Sequence, residues 1–271
     1  MVDVNFTDLL SKGYVVINSF LNNDELDILK LDYNQQRPTD NKNYNYRNVD
    51  QKCKAIFDHK LLEVINCIEK QNILNVNQLK KSGDYISTDV IKFNWHQDHE
   101  SWYVLQHHYH YLNFYIPVIK PDPNLSGLSI VPFDVLENLI PDYIDKIKNN
   151  GATRYRPNDN ITHVINEDVG YEYTLPINLD TISISPTLNP GDLLLLRGDV
   201  IHKTQDTLTS RVSVSFRAFN GNSKINKHRM LSGCDTKQTF IKNNQPLYTW
   251  ILNQFDKHKV DEITPLELFG K

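Results

Sequence analysis

With 39% hydrophobic and 10% aromatic residues among 271, the chain has ample material for a packed core, which excludes global disorder. A formal charge of −4 without any strongly basic stretch excludes binding by phosphate neutralisation, so no nucleic-acid partner is expected. No apolar run of about eighteen residues is present, no signal-peptide pattern follows Met1, and Cys53, Cys67 and Cys234 are scattered; a cytoplasmic protein without membrane partner or disulfide framework is expected.

Residues 6–12 read as a short helix stopped by Gly13, and Tyr14-Val15-Val16-Ile17 as a strand by its β-branched and aromatic content. Asn22-Asn23-Asp24 offers N-caps to a helix starting near Glu25, with Leu26, Leu29 and Tyr33 on its apolar face. After a polar loop, Ile56, Leu61, Leu62, Ile65 and Ile68 predict an amphipathic helix over 54–72.

From Tyr85 the period changes to two. Val90, Lys92, Asn94 and His96 alternate with Ile91, Phe93 and Trp95, predicting a strand that ends in an imidazole. A second alternation sets Leu112, Phe114 and Ile116 against Tyr111, Asn113 and Tyr115. Pro121, Pro123 and Gly127 mark a turn before a short strand at 128–132, and a helix is predicted over 134–148. Residues 152–180 read as extended. Leu193-Leu194-Leu195-Leu196 suits a strand buried on both faces, and the run from Arg211 to Arg217 is the cleanest alternation in the chain. The last fifty residues hold one predicted helix, at about 245–256. With no repeat or linker, one domain over 1–271 is expected: a helical part to 84, a β core over 85–220 and a C-terminal extension over 221–271.

His96 and Asp98 lie two residues apart, and His202 follows a second strand. Two histidines and one carboxylate on one face of a metal, with the other face open, is the ligand set of non-haem Fe(II) oxygenases. His-x-Asp alone is a weak signal that needs His202 and its neighbours. On the strand from Arg211, the polar residues Arg211, Ser213, Ser215 and Arg217 share a face, which is costly inside a sheet unless a cavity with an anionic ligand meets it. If 206–210 is a hairpin turn, His202 lies on the strand next to Arg211, roughly 5 Å away. His107, His108 and His110 read as a solvated or stacking surface rather than a second metal site.

His96-Gln97-Asp98 and His202, followed by Arg211-Val212-Ser213, resemble the signature of Fe(II)/2-oxoglutarate-dependent dioxygenases. More narrowly, Gly13-Tyr14-Val15-Val16-Ile17, Phe20-Leu21, Glu25-Leu26, Trp95-His96-Gln97-Asp98, Gly127-Leu128-Ser129-Ile130-Val131-Pro132 and Gly191-Asp192 are similar in order and spacing to the phytanoyl-CoA dioxygenase (PhyH) family over residues 6–220. Residues 93–102 also resemble the ectoine hydroxylase branch. Phe133-Asp134-Val135 departs from the Gly-Ser-His usual after Val131-Pro132.

The resemblance implies a mainly β fold with α, a double-stranded β-helix (jelly roll, cupin-like) with helices packed on the outer face of one sheet. It implies Fe(II) on His96, Asp98 and His202, and 2-oxoglutarate with its distal carboxylate on Arg211 and Ser213. O2 is the oxidant and ascorbate a candidate reductant. Asn113 and Tyr115 are candidates for cofactor contact if they share the inner face, and for core packing otherwise. The implied reaction is hydroxylation of a small molecule with release of succinate and CO2, and Asp98 argues against halogenase chemistry. Glu100, Trp102, Arg154 and Arg156 are candidate substrate contacts. A catalytically inactive cupin-like binding protein and a metal-dependent hydrolase or isomerase remain as alternatives, and both a monomer and a homodimer fit.

Overall fold

Gly13, at φ +83°, turns the chain from helix α1 (Asp8–Ser11) into strand β1 (Tyr14–Ile17). A Cβ there would meet Val200 at 2.4 Å and Phe133 at 2.6 Å, so both the backbone angle and the space demand glycine. The computed structural model describes residues 4–37, 47–80, 82–88, 92–99, 106, 108–243 and 245–269. Helix α2 (Asn23–Gln35) opens on a capping box in which Asn22 accepts from the Glu25 N–H and Glu25 from the Asn22 N–H. After β2 (Arg47–Asn48), helix α3 (Gln51–Lys70) begins three residues ahead of its predicted start, because Asp50 caps it. Its buried stripe is Cys53, Phe57, Leu61, Val64, Ile65 and Ile68. Ile56 and Leu62, expected on that face, sit beside it and are exposed. One residue along a helix is a rotation of about 100°, enough to carry Leu62 away from the face that holds Leu61.

Next come β3 (Gln78–Leu79), β4 (Asp84–Ser87), β5 (Tyr111–Ile119) and β6 (Leu128–Val131). The predicted helix over 134–148 is split into α4 (Phe133–Leu139) and α5 (Ile144–Ile147), with a 3-10 turn, Pro141–Tyr143, between them. Pro141 lacks the N–H that would continue α4. The weakly patterned stretch after it forms β7 (Thr153–Asn158), β8 (Ile161–Asn166), β9 (Glu172–Leu175) and a short helix α6 (Leu179–Ile182). The core ends with β10 (Leu193–Arg197), β11 (Ile201–Thr204) and β12 (Val212–Phe219).

The larger sheet runs β1-β10-β5-β12-β4-β2, with β3 also on β12, and all pairs are antiparallel. Facing it are the pair β11-β6 and the ladder β7-β8-β9, joined through His96, whose backbone bridges His202 on one side and Arg154 on the other. This is the jelly-roll arrangement, with sheets that face each other without closing into a barrel.

Alternation on the large sheet divides two cores. Leu193, Leu195, Phe114, Ile116, Val214 and Phe216 pack outward against α2 and α3, while Leu194, Leu196 and Tyr115 pack inward with Ile130, Tyr155 and Ile201 of the smaller sheet. The leucine run is buried on both faces as expected.

Three further expectations are corrected. The strand predicted to run through Lys92 and Asn94 into His96 is absent over the described residues 92–95, and His96 itself makes only isolated bridges, one to His202 and one to Arg154; 89–91 lie outside the described residues. β11 and β12 do not form a hairpin: β11 pairs with β6 and β12 with β5 and β4, so residues 205–211 cross from one sheet to the other. Asp206 anchors that crossing by accepting from the Ser126 N–H and hydroxyl and from the Leu208 N–H. The C-terminal extension is also more ordered than predicted, with β13 (Ile225–Asn226), α7 (Lys227–Leu231), α8 (Asp235–Asn243), α9 (Gln245–His258), β14 (Glu262–Ile263) and α10 (Pro265–Phe269). Among the described residues the cysteines are free, and no helix is long and apolar enough to cross a membrane.

Between β10 and β11 lies a fully buried ion pair. Arg197 donates through Nε and Nη2 to Asp199 at 2.9 and 2.6 Å, and through Nη1 to the Leu9 carbonyl of α1 at 3.2 Å. Its guanidinium also lies over the Tyr109 and Phe133 rings. Removing one partner leaves a buried charge uncompensated. Asp199→Ala is therefore expected to lower the unfolding free energy by about 3–5 kcal/mol, read by denaturant titration.

Candidate metal centre

Backbone pairing on both sides fixes the ligand segment. His96 and His202 exchange N–H···O bonds of 3.0 Å each, the Gln97 N–H donates to Thr153 O at 2.9 Å, and the Tyr155 N–H donates to Trp95 O at 3.1 Å. The Asp98 N–H reaches Gly198 O at 3.3 Å, and the Ala152 N–H donates to Asp98 O at 3.1 Å. Extended parity sends the side chains of His96 and Asp98 to one side and Gln97 to the other. Gln97 is wholly buried: its amide donates to the Ile147 and Asp199 carbonyls at 2.7 Å each and accepts from the Tyr155 hydroxyl at 3.0 Å. Sequence reasoning passed over Gln97; the signal was an uncharged amide between two ligands, facing inward by alternation.

His96, Asp98 and His202 each present one ligand atom, all within 4.8 Å of one another. The imidazole Nε2 atoms lie 3.9 Å (His96) and 3.8 Å (His202) from Asp98 Oδ1. Nδ1 of His96 lies 2.7 Å from Asn94 O, and Nδ1 of His202 lies 2.9 Å from Val200 O. A carbonyl can only accept, so each Nδ1 carries the proton and each Nε2 lone pair is left for a metal. Burial, reinforced by His202, pushes the His96 pKa down to about 3 against the pull of Asp98, so His96 is neutral and ready to ligate at ordinary pH. Asn113 Nδ2 donates to Asp98 Oδ2. Asn113, a candidate for cofactor contact by sequence, thus orients a ligand carboxylate.

The three ligands open into a cavity of about 680 Å³ that Arg211, Tyr115 and Ser215 also line. Arg211 is 1% exposed. Its Nη1 donates to the Tyr115 hydroxyl at 2.6 Å and to Ser213 Oγ at 3.2 Å, and its Nε has no hydrogen-bond partner among the described residues. Lys120, also buried, donates to Pro123 O at 2.7 Å. Burial and then the charge of Arg211 bring the Lys120 pKa down to about 8, while Asp122, Asp206 and Asp192 pull the other way. Two buried cations that disfavour each other, one of them lining the cavity and carrying an orphaned donor, fit an anionic co-substrate.

Arg154 and Arg156 line the cavity from β7, and Arg154 Nε pairs with Glu167 at 2.7 Å. Glu100 and Trp102 lie outside the described residues, as does His107. His110 accepts from the Asn75 N–H at 3.1 Å and stacks edge-on with Tyr109, in keeping with a stacking surface. Phe240, Leu247 and Tyr248 of the C-terminal helices also line the cavity, a contribution hidden in sequence by the weak pattern of that region.

No protein-family model and no curated protein matches the chain. Solved structures do. EctD from S. alaskensis with 2-oxoglutarate and 5-hydroxyectoine is 12% identical, with 83% of this chain and 80% of that one covered and a TM-score of 0.51. HygX from Streptomyces hygroscopicus with nickel, 2-oxoglutarate and hygromycin B is 14% identical, with 78% and 84% covered and a TM-score of 0.47. A Pseudomonas putida prolyl-4-hydroxylase is 12% identical, with 78% and 95% covered and a TM-score of 0.44. The likeness to EctD is one of fold.

Asn113→Ala should reduce metal affinity by about 10–100-fold while the far-UV spectrum is unchanged, measured by competition with a chelator. A lysine with pKa about 8 when folded and 10.5 when unfolded binds fewer protons in the folded state between those values, so stability gained from Lys120 rises as pH climbs through that window. Lys120→Met should accordingly raise Tm at pH 7, and the gain should shrink towards pH 10, as followed by thermal melts across that range.

Proposed function

We propose that the chain is a non-haem Fe(II)- and 2-oxoglutarate-dependent oxygenase that hydroxylates a small molecule. The observation that carries this reading is one cavity lined both by the His96, Asp98 and His202 set and by Arg211, a buried guanidinium with an unpartnered Nε. The donor set fits Fe(II), which two imidazoles and one carboxylate would hold while leaving positions for co-substrate and oxygen. When bound, iron and 2-oxoglutarate supply oxygen activation, with release of succinate and CO2.

The chain's own residues do the rest. Asn113 holds Asp98 by one oxygen, leaving Oδ1, the atom nearest both imidazoles, for the metal. Arg211 presents a planar fork suited to a carboxylate, and Tyr115 and Ser213 set its orientation. Tyr115 and Leu196 line the inner wall of the cavity and belong to the core that backs it.

Under anaerobic conditions, Fe(II) and 2-oxoglutarate should produce a visible charge-transfer band, and oxygen should then yield succinate. His96→Ala and His202→Ala should abolish both. Arg211→Ala should raise the 2-oxoglutarate half-saturation by about two orders of magnitude, the consequence of truncating a buried charge partner. A band that never forms, or turnover that needs no 2-oxoglutarate, would overturn the proposal in favour of a binding protein or a hydrolase.

A further inference from the structure

Residues 95–98 run antiparallel along residues 152–155: the Tyr155 N–H donates to Trp95 O at 3.1 Å, the Gln97 N–H to Thr153 O at 2.9 Å and the Ala152 N–H to Asp98 O at 3.1 Å. His96 makes only isolated bridges, so the segment carrying two of the three ligands has no long ladder to hold it. One buried carboxylate reinforces it. Glu167, 4% exposed, lies in the turn between β8 and β9. Its Oε1 pairs with Arg154 Nε at 2.7 Å, and its Oε2 lies 3.1 Å from His99 Nε2. One oxygen goes to β7 and the other to the residue that follows Asp98, which closes a clamp across both segments at the end where Asp98 stands. The Glu167 N–H also donates at 2.9 Å to the carbonyl of Ala152, whose own N–H holds Asp98. Exposed ion pairs gain little over water, whereas a buried carboxylate that loses its partners is left uncompensated, so this clamp resists opening.

The turn is gripped in its own right by the C-terminal extension. Asp168 Oδ1 accepts from Nζ of the buried Lys237 at 2.6 Å, and Asp168 Oδ2 from Nε and Nη2 of Arg229 at 3.3 and 3.2 Å. The Cys234 thiol donates to Glu167 O at 2.7 Å. Gly233, at φ +112°, packs so closely on the turn that a Cβ would meet Asp168 O at 2.3 Å. Two adjacent buried carboxylates thus have divided tasks: Asp168 is held from the segment 229–237, and Glu167 is turned towards the ligand segment.

We propose that Glu167 is a positioning residue of the metal centre, setting the register of the segment that carries Asp98, and that residues 229–237 hold it in place. The inference rests on the metal-centre part of the oxygenase reading and is independent of the co-substrate. The probe is Co(II), whose visible absorption responds to the arrangement of its ligands, titrated into the purified chain against a chelator well below the unfolding temperature.

Glu167→Ala should weaken Co(II) about tenfold and change its absorption, and Glu167→Gln, which keeps an oxygen for Arg154, should lose less. Gly233→Ala, whose Cβ meets Asp168 and Lys237 rather than the cavity, should also weaken Co(II) by displacing the turn. Lys54→Met is the control for lost stability alone: it breaks another buried ion pair, with Asp58 on α3, and should leave Co(II) binding at the parent value. Circular dichroism shows which variants are folded, and the near-isosteric Glu167→Gln keeps the test decisive if Gly233→Ala does not fold. Parent-like Co(II) binding in the Glu167 variants or in folded Gly233→Ala, or an equal loss in Lys54→Met, would overturn the inference. If the Glu167 variants lose Co(II) while the parent never gives a charge-transfer band with Fe(II) and 2-oxoglutarate, the positioning role stands and the oxygenase falls. A band in the parent with Co(II) binding unchanged in the Glu167 variants does the reverse.

Discussion

The pair of backbone hydrogen bonds exchanged by His96 and His202 is the constraint on which the centre depends. Neither residue belongs to a long ladder on the other's strand. His96 stands alone between β11 and β7, and that one residue joins the two parts of the smaller sheet. Because the bond is reciprocal, it fixes the register of the ligand segment as well as its distance from β11. A slip of one residue would put Gln97 where the His96 imidazole stands and the imidazole into the core. The buried amide of Gln97, with three partners of its own, opposes that slip from the other side.

The large sheet supplies what the small one cannot. Its strands are long, and strict alternation gives each an outer row for the helices and an inner row for the cavity. β5 and β12 show this most plainly: Phe114 pairs with Phe216 on the outer face, while Asn113 with Arg217 and Tyr115 with Ser215 make the inner one. The residues that orient Asp98 and Arg211 are thus held by the most extensively paired part of the molecule. The ligands themselves sit on its more irregular counterpart, an arrangement that suits a site needing fixed partners and an open approach.

How much of this the sequence disclosed depends on how local the determinant was. His96, Asp98, His202 and Arg211 stood out because alternation and residue chemistry agreed within a few residues of each. The leucine run of β10 and the inner face of β12 were readable for the same reason. The crossing at 205–211 was not, because a short polar segment between two strands is read as a hairpin unless something distant holds it, and here Ser126 binds Asp206 from eighty residues away. The segment before His96 alternates like a strand, yet its backbone is committed to single bridges with β7 and β11 that no local pattern announces. Lys120 and the C-terminal wall were missed because their significance lies in what they face.

Arg197 ties α1 to the turn before β11 through the Leu9 carbonyl, and Asp199 in that turn accepts from Gln97 of the ligand segment. A helix near residue 9, a ligand loop near 97 and a strand beginning at 201 are thereby joined in one buried knot. Such contacts close only after long stretches of chain have been ordered. During synthesis, then, His96 and Asp98 emerge a hundred residues ahead of the partner that completes them. Any metal held by these three side chains would therefore be captured only by the finished fold, and the nascent chain would carry no half-made site beforehand.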